Sequence, residues 1–222
     1  MTLKLWNDTP TKQAILDYVA AANDERSPDY VPPADRIAAF DNDGTLWVEQ
    51  PAPAQTAMLV NKLVEQVKAD PSLAAVDPYK GIITQDPVFL QGVAQQVPEA
   101  IMAFLSGVGK AWEGTTPEEY EAEARVYLAT SMHPRWDCPW TDLIYQPMLE
   151  LCDLLKENGW RVFVCSGGGR DFMRVFSEKA LGVHKENIIG SAPEFAYVDG
   201  QLVRQNKLHG NISLGPGKLE HI

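Results

Sequence analysis

The sequence predicts an α/β fold, a Rossmann-like parallel sheet flanked by helices and interrupted by a helical insertion. Three observations carry this. Two short apolar runs, Ile37-Ala38-Ala39-Phe40 and Arg161-Val162-Phe163-Val164-Cys165, each lead into residues suited to a ligand crevice: Asp41-Asn42-Asp43-Gly44-Thr45 and Ser166-Gly167-Gly168-Gly169. Helical periodicity precedes and follows the second run, giving the order strand, helix, strand, helix, strand. The roughly 100 residues between the two runs exceed one crossover helix and hold helical patterns with no clear strand.

The elements follow in order. Thr11–Ala22 reads as an amphipathic helix with Ile15, Tyr18 and Val19 on one side, ended by Ser27-Pro28-Asp29-Tyr30-Val31-Pro32-Pro33. Arg36–Phe40 reads as a short buried strand. Ala54–Lys68, Val88–Leu105 and Pro117–Ala129 read as helices of the insertion. Gln146–Glu157 places Met148, Leu151, Leu154 and Leu155 on one helical face, and Asn158-Gly159 is a C-terminal stop. A strand at Arg161–Cys165 gives way to the glycine loop, then to a helix over Arg170–Leu181. Ile188-Ile189 opens another extended piece. Glu194–Val198 and Leu202–Asn206 flank Asp199-Gly200, a hairpin signal.

Composition narrows the function class. Apolar residues make up 45% of the 222 residues, as in a globular protein. No stretch approaches the roughly 18 apolar residues that span a bilayer, and the N-terminus lacks a secretory apolar run, so a cytoplasmic protein without membrane contact is expected. Cys138, Cys152 and Cys165 form no C-x-x-C pair and read as thiols of a reducing compartment. A net charge of -11 argues against nucleic-acid binding, which needs clustered Lys and Arg. The four histidines show no ligand spacing.

The chemistry lies at the strand ends. Asp41 and Asp43 are two residues apart beyond a strand and can face one crevice at the carboxyl edge of the sheet. One carboxylate can attack phosphorus while the other protonates the leaving oxygen and later activates water. Gly44 permits a tight turn, and Thr45 can bond a carboxylate or cap the next segment. An ordinary acidic turn has the same composition. An EF-hand does not fit: it needs Gly sixth and an acid twelfth, where this loop has Gly44 fourth and Ala52 twelfth. Ser166-Gly167-Gly168-Gly169 offers a hydroxyl and successive amides to an anion, or else is a flexible turn. It is neither a Walker A loop nor G-x-G-x-x-G. Lys218, in Gly215-Pro216-Gly217-Lys218-Leu219-Glu220-His221-Ile222, can neutralise phosphate, with Lys207 a competing candidate.

Asp41-Asn42-Asp43-Gly44-Thr45, Ser166-Gly167-Gly168 and Lys218, in that order, resemble the motifs of the haloacid dehalogenase-like (HAD) hydrolase superfamily. Tyr145-Gln146-Pro147-Met148-Leu149-Glu150 through Ser166-Gly167-Gly168 to Ile189-Gly190 looks most like its phosphoserine-phosphatase-like branch. The resemblance spans Arg36 to Ile222, matching the insertion in position and helical character only. It implies a discontinuous HAD-like core at 1–46 and 141–222, and a helical cap at 47–140. It implies Asp41 as nucleophile, Asp43 as general acid/base, Ser166, Gly167 and Thr45 as phosphate binders and Lys218 as the stabilising cation. Mg²⁺ would be held by Asp41 and by the backbone carbonyl of Asp43. A small phosphorylated metabolite is the implied substrate. The second aspartate accompanies phosphoryl transfer in this superfamily and is lacking in its dehalogenases.

The family's fourth, acidic motif does not follow Lys218 before Ile222. The expectation is a core whose C-terminal part is missing, with weak metal binding and an open strand edge at Ile37–Phe40 that favours self-association. A truncated, catalytically impaired protein retaining phosphate or partner binding is the alternative to an enzyme. Asp171 and Glu194 are candidate stand-ins for the missing acid. Glu49 stands near a substrate-binding position of the branch, or on the surface. Arg170 can reach an anionic substrate or pair with Asp171. Met132-His133-Pro134-Arg135-Trp136-Asp137-Cys138-Pro139-Trp140 suits a hinge, a cap lining or a packed linker.

Overall fold

A computed structural model describes residues 3–95 and 97–222. Met1 and Thr2 of the N-terminal segment, and Gln96 within the expected Val88–Leu105 helix, lie outside the described residues. The elements in chain order are α1 (Pro10–Asn23), β1 (Ile37–Phe40), α2 (Ala54–Ala69), α3 (Tyr79–Ile83), α4 (Pro87–Ala94), α5 (Pro98–Ala111), α6 (Pro117–Thr130), α7 (Gln146–Glu157), β2 (Arg161–Gly169), α8 (Arg170–Phe176), β3 (Ile188–Ser191), β4 (Pro193–Val198), β5 (Gln201–Leu208) and α9 (Gly217–His221). No helix among the described residues is long and apolar enough to cross a membrane. The chain forms two compact units: Met1–Gln50 with Met132–Gly190 and Ser213–Ile222, and Pro51–Ser131 with Ser191–Ile212.

The first unit holds a three-stranded sheet in the order β1-β2-β3. β1 and β2 are parallel, with Ile37 opposite Arg161 and Phe40 opposite Val164, so Asp41 leaves β1 beside Cys165 of β2. β2 is central and buries Val162 and Val164. β1 is at the edge, and here the expectation of a buried strand is corrected: its residues alternate between exposed and half-buried, Ile37 being 47% exposed. An edge strand gains cover from one neighbour only. α7 has the expected bounds and buries Leu151, Leu154 and Leu155. It stops because Gly159 takes a left-handed conformation (φ +78°), letting Trp160 N–H bond the Leu155 carbonyl at 3.0 Å.

Two further expectations change. β2 does not end at Cys165 but continues through the glycines to Gly169. Glycine is needed opposite: a Cβ on Gly190 of β3 would stand 2.7 Å from the Gly168 carbonyl and 2.9 Å from Arg170 N. The helix expected over Arg170–Leu181 is α8 followed by a π-helical turn, Ser177–Leu181, ended by Gly182 at φ +62°. Tyr18, expected on the inner side of α1, is 51% exposed and rests its ring on Trp160 at 6.0 Å.

The second unit is built on helices. α2 buries Ala54, Met58, Leu59 and Leu63, and α6 buries Tyr120, Ala124 and Leu128. α6 starts at a capping box in which Thr116 and Glu119 bond each other's backbone. The single helix expected over Val88–Leu105 is two: proline cannot donate from the first turn of α5 and holds Val97 extended. β4 and β5 pair around Asp199 (φ +48°) and Gly200 (φ +87°), the two positive angles of a tight hairpin turn. The hairpin, expected in the core by its place in the chain, belongs to this unit. Arg204 exchanges backbone bonds with Gly114 and Thr115 (2.9 and 2.8 Å), and its guanidinium lies 4.0 Å over the Tyr120 ring. A desolvated cation on an aromatic face is a strong local attachment.

Candidate active site

The site begins where β1 ends. Phe40 hands the chain to Asp41, and the next residues fold into a turn closed on Asn42: its carbonyl accepts from Thr45 N (3.1 Å) and Leu46 N (2.8 Å). Gly44 makes the turn possible at φ +75°, and a Cβ there would stand 2.6 Å from Glu49 Cδ. The Glu49 carboxylate thus lies over Gly44, beside the aspartate loop, although the residue is exposed. Thr45 sits half-buried in the same turn.

Lys218 meets the first aspartate. Its Nζ donates to Asp41 Oδ1 at 2.8 Å, and both side chains keep partial access to solvent. The path to this contact runs beneath the glycine strand. Ser213 is fully buried with its Oγ 3.9 Å from Cys165 Sγ, and a Cβ on Gly167 would meet Leu214 Cδ1 at 3.0 Å and the Ser213 carbonyl at 3.5 Å. Gly215 (φ +53°) then turns the chain into the short α9 that carries Lys218. Ser166 is 2% exposed, and its Oγ accepts from Gly168 N at 3.1 Å. Asp41 with its lysine therefore lies just beyond the end of β1, beside the Ser166-Gly167 stretch of the parallel neighbour β2.

Asp43 has a different environment. Trp47 Nε1 donates to Asp43 Oδ1 at 2.9 Å. Burial pushes the Asp43 carboxyl above the usual carboxylate range; the Trp47 bond opposes this, the charge of Asp41 adds to it, an Asn42 side-chain bond opposes it, and the charge of Glu49 adds again. Trp47 is itself fully buried, stacked on Phe176 at 4.5 Å and 22°. In the sequence Trp47 stands out only as a residue bounding the insertion. The available signal is an indole donor four residues beyond a carboxylate across a glycine turn.

Other candidates find different partners. Lys207 pairs with Glu194 across the hairpin at 2.7 Å, so Lys218 is the lysine on Asp41, and Glu194 is occupied. Arg170 bonds Asp171 at 3.2 Å. His133 is 1% exposed between Trp136 and Trp140 (4.4 and 4.6 Å), with Nε2 on the Gln50 carbonyl at 2.8 Å and Nδ1 accepting from Arg135 N at 3.1 Å. Its packing is that of a linker knot. The cysteines are free, and burial raises the Cys152 thiol to about 11, beyond useful reactivity.

A metal fits these residues incompletely. Asp41 offers a carboxylate and Asp43 a backbone carbonyl, but among the described residues no group of three or more His, Cys, Asp or Glu is placed to hold an ion. Mg²⁺ takes octahedral oxygen coordination with one or two carboxylates and retained waters.

Comparison with known proteins agrees with this layout. No curated protein matches the chain. Among solved structures, a conserved functionally unknown protein from Anaerococcus prevotii DSM 20548 is 14% identical with a TM-score of 0.55, covering 95% of this chain and 74% of its own. A protein with unknown function from Bordetella pertussis Tohama I is 16% identical with a TM-score of 0.51, covering 84% and 71%. A phosphoserine phosphohydrolase-like protein from Francisella tularensis subsp. tularensis SCHU S4 is 17% identical with a TM-score of 0.43, covering 79% and 65%. At these identities the first two establish a shared fold. The model of the haloacid dehalogenase-like hydrolases matches residues 38–222, most of the chain and every motif described above, and the protein belongs to that family.

Proposed function

We propose that this hydrolase is a phosphomonoesterase acting on a small phosphorylated metabolite through an aspartyl-phosphate on Asp41. The observation that carries the reading is the Lys218–Asp41 contact of 2.8 Å beside a second aspartate whose carboxyl is pushed upward. In the first step an Asp41 oxygen bonds phosphorus as the bond to the leaving oxygen breaks, and Asp43 gives that oxygen its proton. In the second step Asp43 takes a proton from water as water attacks phosphorus, and the bond to Asp41 breaks, releasing phosphate. Lys218 balances the charge on the phosphoryl oxygens, and the Ser166 hydroxyl and Gly167 amide grip them. A carboxyl whose hold on its proton is strengthened by burial suits the first step, where general acid catalysis contributes about 10²–10⁴-fold.

Members of the family generally use Mg²⁺, and Mg²⁺ dependence is part of this reading. When bound, the ion offsets phosphoryl charge. The described ligands are too few to route a step through it. The test is hydrolysis of p-nitrophenyl phosphate with Mg²⁺: turnover is expected in the wild-type chain and none in Asp41→Asn, and activity surviving that substitution overturns the reading.

The incomplete acidic set favours a second reading: a chain that binds phosphate or a partner without turnover. Saturable phosphate binding without hydrolysis of any phosphomonoester tested supports it; Mg²⁺-dependent turnover by a purified monomer excludes it. Free cysteines accord with a cytoplasmic setting. The edge position of β1 accords with self-association, which light scattering on the eluted protein tests.

A further inference from the structure

We propose that Trp47 is a positioning residue for the acid/base step, its indole N–H holding the Asp43 carboxyl so that Oδ2 carries the transferred proton. This rests on the phosphomonoesterase reading. Stacking holds the indole ring, and three backbone bonds anchor Trp47. Its ring stacks on Phe176 at 4.5 Å, its carbonyl accepts from Gly44 N at 2.9 Å, and its neighbours are laced to the segment before α7, through Val48 N on the Leu143 carbonyl (3.3 Å) and Tyr145 N on the Leu46 carbonyl (2.8 Å). A fully buried ring, stacked on one face and carried by an anchored backbone, keeps its N–H at one place.

An indole N–H donates and never accepts. Asp43 Oδ1, 2.9 Å away, must therefore present a lone pair. The hydroxyl oxygen of a carboxylic acid is the poorer acceptor, so the indole bond favours a proton on Oδ2 over Oδ1. The Asn42 side chain also bonds the carboxyl and weakens its hold on the proton. When the bond to the leaving oxygen breaks, the Oδ2 proton passes to that oxygen and Asp43 becomes a carboxylate. When water attacks the aspartyl-phosphate, Oδ2 regains a proton. Trp47 exchanges none; it sets the rotamer from which both transfers occur.

The experiment is Trp47→Phe, which keeps an aromatic ring on Phe176 and removes the donor. The readout is kcat/KM, which reports only the step that forms the aspartyl-phosphate, for two substrates. p-Nitrophenyl phosphate expels a stable phenolate that needs little protonation; an alkyl phosphate expels an alkoxide that needs it fully. The expected result is a fall of about 10- to 100-fold on the alkyl phosphate, part of a full general-acid contribution, with p-nitrophenyl phosphate within about 3-fold of wild type. An equal fall on both substrates, or none on either, overturns the role of Trp47 and leaves the phosphomonoesterase reading standing. A wild-type chain inert toward both overturns that reading and this role with it. If Trp47→Phe does not fold, the indole N–H proton resonance of Trp47 is followed in Asp43→Ala. A shift with faster solvent exchange supports the contact, and an unchanged resonance overturns the inference.

Discussion

Lys218 Nζ bonds Asp41 Oδ1 at 2.8 Å across 177 residues of chain. The contact is made by a short terminal helix reaching a strand end, and it joins the two ends of the family match. Lys218→Met is expected to lower turnover of p-nitrophenyl phosphate by about 10²–10³-fold, the cost of removing one preorganised charge from a site of this kind. Because both partners are partly exposed, stability should change by only about 0–1 kcal/mol. Steady-state kinetics and a denaturant titration on the same preparation check both.

The environment of Asp43 predicts how stability depends on pH. Its folded carboxyl is raised above the ordinary 3.8, so the folded chain holds this proton more tightly than the unfolded chain. That contribution to stability is fully present below 3.8 and is lost as pH rises through the folded value. Asp43→Asn removes the ionisation while keeping an oxygen for the Trp47 indole. In metal-free buffer its melting temperature should exceed that of wild type at neutral pH, with the gain vanishing in acid. Equal differences at both pH values would contradict the assignment.

Gly44→Ala is expected to destabilise the aspartate turn by about 1–2 kcal/mol from the left-handed angle alone. The Glu49 carboxylate, 2.6 Å from the new Cβ, ends an exposed flexible side chain that can swing aside, so it adds little. Adding Glu49→Ala should therefore leave the loss nearly unchanged, as the backbone share dominates. Urea titrations of the two single variants and the double variant separate the terms.

The incomplete ligand set predicts weak Mg²⁺ binding. Calorimetric titration of the substrate-free chain should show no saturation below concentrations on the order of millimolar. Asp41→Asn should abolish the remaining heat. Tight, stoichiometric binding would overturn the reading of an incomplete ligand set.

Much of the architecture is legible in the sequence because its signals are local. The Gln146–Glu157 periodicity and its Asn158-Gly159 stop match α7, and Asp199-Gly200 marks the hairpin turn. A glycine stop or a two-residue turn is decided by backbone angles within a few residues. Misreadings arise where a neighbour intervenes. The glycines after Cys165 read as a loop, yet they extend β2 because Gly190 lets β3 approach. Val88–Leu105 reads as one helix because apolar periodicity outruns Pro98, whose missing N–H starts a second.

By itself, the sequence determined the fold class, the order of the motifs and the position of two aspartates at a strand end. Tertiary structure alone decided that Lys218 and not Lys207 reaches Asp41, that Trp47 holds Asp43, that β2 runs on through its glycines, and that the hairpin packs with the helices. The division has a physical cause. Turn and cap preferences act over a few bonds and are written where they act. Which distant side chains meet depends on sheet register and on the burial of residues such as Ser213 and Trp47, whose partners are chosen only when the whole unit packs.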